Sequence, residues 1–163
     1  MRKEWNVTEK QQEDMVTKAS EMVIGMIRYF EGLRLKAYKC SADKLTIGYV
    51  HTSWVKAGQR CTKAQAEQWL KSDVAVVERQ LNGLRLTLSQ HQFDALLDFV
   101  FNIRSAKFAQ STLLRKIRQA APTVEIQAEF RRWVYYTDKN GVLHKSDWQV
   151  ARHEWEAQMW GKG

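Results

Sequence analysis

With 163 residues, 44% of them apolar, the chain is long enough to bury one sizeable hydrophobic core. A single Pro, eight Gly and the lack of repeats or low-complexity tracts exclude collagen-like, linker-rich and disordered classes. The net charge of +8 predicts attraction to polyanions, but the basic residues are spread as on a solvated surface, and no zinc-finger spacing or aromatic RNA-binding signature marks a nucleic-acid binder.

Thr8 and Gln11 form a capping box, and Met15, Ala19, Met22, Val23, Met26, Ile27 and Phe30 recur at helical spacing. This predicts one long first helix, stopped by Gly32, with Glu31 at its end. The apolar run from Met22 to Phe30 is short and holds Arg28, so no membrane span is expected there. Glu4, Glu9, Glu13 and Asp14 stand where a secretory signal would need apolar residues, which predicts accumulation in the cytoplasm of the producing cell. Leu35, Ala37 and Tyr38, then Leu45 to Val50, are short extended runs broken by Ser41-Ala42-Asp43-Lys44, the pattern of a small antiparallel hairpin.

Thr62 and Gln65 make a second capping box, opening a helix with the inward stripe Ala66, Trp69, Leu70, Val74, Val77 and Leu81 that ends at Asn82-Gly83. Asp73 lies near that stripe and needs a partner; His51 is the expected one, tying the hairpin to this helix. Ser89 caps a helix carrying Phe93, Leu96, Leu97, Val100 and Phe101. Helical stripes follow at Leu113, Leu114 and Ile117 and at Ile126, Phe130, Trp133 and Val134. Asn140-Gly141 predicts a hairpin turn, and Ser146 or Asp147 caps a last helix with Trp148, Trp155 and Met159. The predicted architecture is α+β but mainly α, a single domain over 1–163. A small β-containing lobe (31–61) and a helical lobe (1–30 and 83–163) are joined by the helix 62–82, with a cleft between them. Cys40 and Cys61 have no second pair and make no metal site; pairing with each other is open, and a cytoplasmic location favours free thiols. No cofactor is expected, and a monomer is.

The most informative segment is Phe30-Glu31-Gly32-Leu33-Arg34-Leu35-Lys36-Ala37-Tyr38-Lys39-Cys40, followed by Thr46-Ile47-Gly48-Tyr49-Val50-His51-Thr52. It resembles the phage-type lysozyme (endolysin, muramidase) family, in which a Glu, an Asp or Cys nine positions on and a Thr six positions further form the catalytic set. Phe93 to Asn102, Ser111 to Ile117, Phe130 to Trp133 and Arg152 to Glu156 are also similar to the family, which carries the likeness from about Met22 onward. The resemblance implies a lysozyme-like fold and a peptidoglycan hydrolase cutting the β-1,4 bond between N-acetylmuramic acid and N-acetylglucosamine. It implies Glu31 as general acid, kept protonated near neutrality, with Cys40 as second catalytic group and Thr46 orienting the attacking water. As thiolate, Cys40 would activate water with inversion or attack the anomeric carbon with retention. Phe101 and Asn102 match positions lining the saccharide cleft. The partner is then the bacterial wall, reached after release, and no nucleic acid.

Residue type alone allows plainer roles. Glu31 is then a helix-end acid paired with Arg152, Cys40 a packing residue, Thr46 an ordinary strand Thr and Phe101 core. Two positions depart from the family pattern, Val50 and Arg104, both standing where the family usually has Gly. Gly there implies positive φ or close substrate approach, so a catalytically weak or inactive protein that binds peptidoglycan or another partner is the alternative.

Overall fold

The computed structural model describes residues 15–163, and the Thr8–Gln11 box lies outside them. The first described helix, α1 (Glu21–Glu31), begins later than the spacing of Met15 and Ala19 predicts. Residues 15–20 are not helical because their backbone is spoken for elsewhere. The amide of Ala19 donates to Glu78, and the amide and hydroxyl of Ser20 donate to the buried Asp94 at 3.0 and 2.5 Å. Ser20 then caps the helix by accepting from the Val23 amide. Gly32 ends it at φ 67°, a left-handed conformation that glycine adopts without penalty.

Strands β1 (Arg34–Lys39) and β2 (Leu45–Gly48) pair antiparallel, with Tyr38 opposite Thr46 and a bulge between Arg34 and Tyr38. Gly48 has φ 66°, and a Cβ there would lie 3.1 Å from the Ala66 Cβ. The absent side chain thus lets β2 pack directly onto α2 (Lys63–Gly83), whose Thr62–Gln65 capping box is fully formed. The helices α3 (Gln90–Ile103), α4 (Ser105–Ala109), α5 (Thr112–Arg118), α6 (Thr123–Arg131) and α7 (Asp147–Gly161) complete the helical part, with the hairpin β3 (Tyr135–Thr137) and β4 (Leu143–Lys145) before α7. α3 is the central helix. It packs on α1, α2 and α7 and buries Phe93, Leu96, Leu97, Phe99 and Val100. The last helix also packs on α6, with Met159 and Trp160 inside. The short α4 went unread in the sequence, having neither a capping side chain nor a periodic stripe. None of the described helices is long and apolar enough to cross a membrane.

Candidate active site

Glu31 is the last residue of α1, and α7 holds that end in place. The Trp148 indole donates to the Phe30 carbonyl at 2.8 Å, and the Trp148 and Trp155 rings pack edge-on against Phe30. Arg152 Nη1 donates to Glu31 Oε1 at 2.5 Å, and its guanidinium sits 5.1 Å from the centre of the Phe30 ring. Only 14% of the Glu31 side chain is exposed, so it is largely sheltered from open water. Arg152 is itself buried and also bound to Asp98. Burial alone disfavours its charge, but Asp98 and Glu31 outweigh this and raise its pKa. The pair with Arg152, expected as the plain alternative for Glu31, is present.

Cys40 follows directly on β1, and its amide donates to the Lys44 carbonyl to close the turn. Its thiol is half-buried, which raises the pKa. The backbone amides of Lys44 and Ala42, the Thr46 hydroxyl and its own amide more than reverse this, and the net shift is downward. Thr46 is fully buried and donates its hydroxyl hydrogen to the Lys44 carbonyl at 3.0 Å, and that hydroxyl lies beside the Cys40 thiol and helps lower its pKa. Tyr38 links the two sides. Burial raises its phenol, the Arg34 guanidinium above its ring at 4.2 Å lowers it, and the charges of both Glu31 and Cys40 raise it. Glu31 and Cys40 thus both lie close enough to the Tyr38 phenol for their charges to act on it. Cys61 is buried and also a free thiol; burial raises its pKa.

Phe101 is partly buried against the core and lines a cavity of about 220 Å³ together with Val50, Asp73, Val100 and Arg104. The core packing expected of it is present. Asn102 is half-buried and exchanges amide hydrogen bonds with Gln149 at 2.9 and 3.4 Å. Val50 and Arg104 adopt φ 63° and 79°, so both positions have the backbone for which glycine is suited, with larger residues in it.

Two ties fix the hairpin to the helices. His51 Nδ1 lies 2.8 Å from Asp73 Oδ2, as the stripe position of Asp73 predicts, and the His51 ring stacks on Trp69. His51→Ala is expected to cost about 1–2 kcal/mol of stability by removing this bond, with little loss of wall clearing; an unchanged Tm would show that the pair holds nothing. The second tie went unread: Glu67 accepts from Arg28 on α1 and from the Tyr49 hydroxyl at 2.9 Å, three polar residues whose spacing carries no periodic signal.

The phage lysozyme family model matches residues 28–156. An endolysin of Acyrthosiphon pisum secondary endosymbiont phage 1 is 42% identical over 115 residues, which cover 70% of this chain and 78% of its own. Among solved structures, the muramidase domain of SpmX from Asticaccaulis excentricus superposes with a TM-score of 0.79 at 30% identity, covering 88% of this chain and 97% of that one. A P22 lysozyme mutant superposes at 0.70, also at 30% identity, covering 88% and 97%. The match runs from the last turn of α1 through most of α7 and takes in every residue described at this site, and the chain belongs to the phage lysozyme family of muramidases.

Proposed function

We propose that this muramidase cleaves the β-1,4 bond between N-acetylmuramic acid and N-acetylglucosamine in bacterial peptidoglycan, with Glu31 protonating the leaving oxygen. The observation that supports it best is the placement of Glu31: a largely sheltered carboxyl anchored by the buried Arg152 at the mouth of the hairpin that carries Cys40. In this reading the Cys40 thiolate activates a water that attacks the anomeric carbon from the opposite face, giving inversion, and Thr46 acts through the thiolate it hydrogen-bonds. Phe101 and Asn102 bind the glycan, Asn102 after exchanging its Gln149 partner for sugar hydroxyls. The positive charge favours residence on the anionic wall, which the enzyme meets after leaving the producing cell as a monomer.

Glu31→Gln tests this. It keeps the shape and a hydrogen-bonding oxygen but has no proton to give, and is expected to reduce wall clearing by about 10²–10⁴-fold. Mass spectrometry of wild-type digests should show new N-acetylmuramic reducing ends, with α-anomers first by NMR. Equal clearing by both proteins, or reducing ends on N-acetylglucosamine, would refute the assignment.

A further inference from the structure

Behind Glu31 runs a chain of buried polar side chains that glycosidic cleavage as described does not use. Arg152 turns Nε and Nη2 to Asp98 at 3.0 and 2.8 Å. Glu156, completely buried, lies against Asp98 on one side and has its Oε2 2.5 Å from His153 Nδ1 on the other. Its second oxygen, Oε1, accepts a hydrogen from no described group. Two carboxylates in contact away from water cannot both stay ionised, and a buried acceptor without a donor is costly. One proton on Oε1, donated to Asp98, resolves both problems, and the remaining directions then follow. His153 Nδ1–H donates to Glu156 Oε2, so Nε2 carries a lone pair. That lone pair faces the Asn102 amide nitrogen at 3.5 Å, which also donates to Gln149.

We propose that Glu156 and His153 are positioning residues: Glu156 shares a single proton with Asp98, so that this pair balances Arg152 with one negative charge and leaves Glu31 able to carry a proton, while a neutral His153 aims the Asn102 amide. The role given to Glu31 rests on the reading above; the proton between Asp98 and Glu156 does not. The charges facing this cluster are few. From α1 there is Glu31, from α3 Asp98, and from α7 Arg152. On α6, packed behind α7, Glu129 is turned to Lys116 and Arg132, and Arg131 to Glu154. Burial and then Asp98 raise the Glu156 carboxyl well above its ordinary value, and burial and then Arg152 lower His153 to about 4. Both shifts agree with a protonated Glu156 beside a neutral His153.

The experiment combines ¹⁵N NMR of the His153 ring with pH profiles of kcat/KM. Wild type should show His153 as the neutral Nδ1–H tautomer at pH 6, and Glu156→Gln should keep it, since the amide can donate to Asp98 and accept from His153. Asp98→Asn removes the carboxylate that holds Arg152 directly and leaves Glu31 as its only directly bonded acid. The acidic limb of the profile should then move to lower pH in Asp98→Asn, where Arg152 pairs more strongly with its remaining acid. It should stay in place in Glu156→Gln, where a merely structural role would lower Tm and leave the limb fixed in both. A doubly protonated His153 at pH 6, or an equal limb shift in Glu156→Gln, overturns the proposal. Should Asp98→Asn fail to fold, the NMR arm decides alone. The same tautomer in a Glu31→Gln protein that still clears walls would reject the Glu31 role while upholding the shared proton.

Discussion

Cys40→Asp is expected to raise kcat/KM on bacterial walls by about tenfold or more at pH 5, and Cys40→Ala to lower it by a similar factor. The productive enzyme needs a proton on Glu31 and none on residue 40. An ordinary thiol, with a pKa of about 8.5, is ionised in only about one molecule in 10³ at pH 5.5. Every unit by which the thiol is lowered returns a factor of about ten, which gives the hydrogen bonds to Cys40 from Thr46, Lys44 and Ala42 a catalytic consequence. An aspartate in the same place, with an ordinary value of about 3.9, is already ionised at pH 5, and the mismatch disappears.

The pH profile carries the sign of this argument. In the wild type the fall in activity at high pH follows the higher of the two groups, the thiol, and lies below the ordinary thiol range because its pKa is lowered. In Cys40→Asp that fall should move down by several pH units, into the carboxyl range. Thr46→Val removes one hydrogen bond from the thiolate, so its wild-type fall should move up while the plateau drops. Iodoacetamide supplies an independent check: it should alkylate the half-buried Cys40 and spare Cys61, which is buried and has a raised pKa. Equal activity of Cys40→Asp and Cys40→Ala, or an alkaline fall that stays in place, would remove Cys40 from the mechanism.

Much of this site was legible before any coordinates, for a physical reason. Caps and apolar stripes are local signals, and Thr62–Gln65, Ser89–Gln92 and Ser146 all act as the sequence pattern implies. Asp73 near an apolar stripe demanded a partner, and His51 was within one hairpin of it. Residues 15–20 misled because apolar spacing does not reveal a competing tertiary bond; Ser20 gives its amide and hydroxyl to an aspartate 74 positions away. The buried acids were harder still. Asp94 and Asp98 lie four apart on α3 amid nearly continuous apolar residues, where periodicity cannot tell a solvated acid from a satisfied one. What distinguishes them is Ser20 for one and Arg152 for the other, both remote in sequence.

Val50→Gly and Arg104→Gly are expected to stabilise the protein, by about 1 kcal/mol each and about 2 kcal/mol together. Val50 closes a three-residue loop in which Ile47 and His51 exchange both backbone hydrogen bonds, and its φ of 63° forces a β-branched side chain against its own backbone. Arg104 ends α3 at φ 79° while its amide still donates to the Val100 carbonyl, the geometry of a glycine cap. Strain at such positions costs about 1–3 kcal/mol, and part of the gain from relieving it is lost to the greater freedom of glycine in the unfolded chain. For a chain of this size the double variant should melt about 4–8 °C higher. Both side chains line the same cavity beside Phe101, so glycine also widens that cavity, and with Phe101 binding the glycan as proposed, KM on wall fragments should fall. The two readouts separate the possible reasons for these residues. Higher Tm with lower KM means that Val50 and Arg104 only obstruct and strain. Higher Tm with a raised KM means that the strain is retained because the side chains hold the glycan, as strain at a binding cleft often is. An unchanged Tm would show that the backbone at both positions is relaxed, and the strain argument would fall.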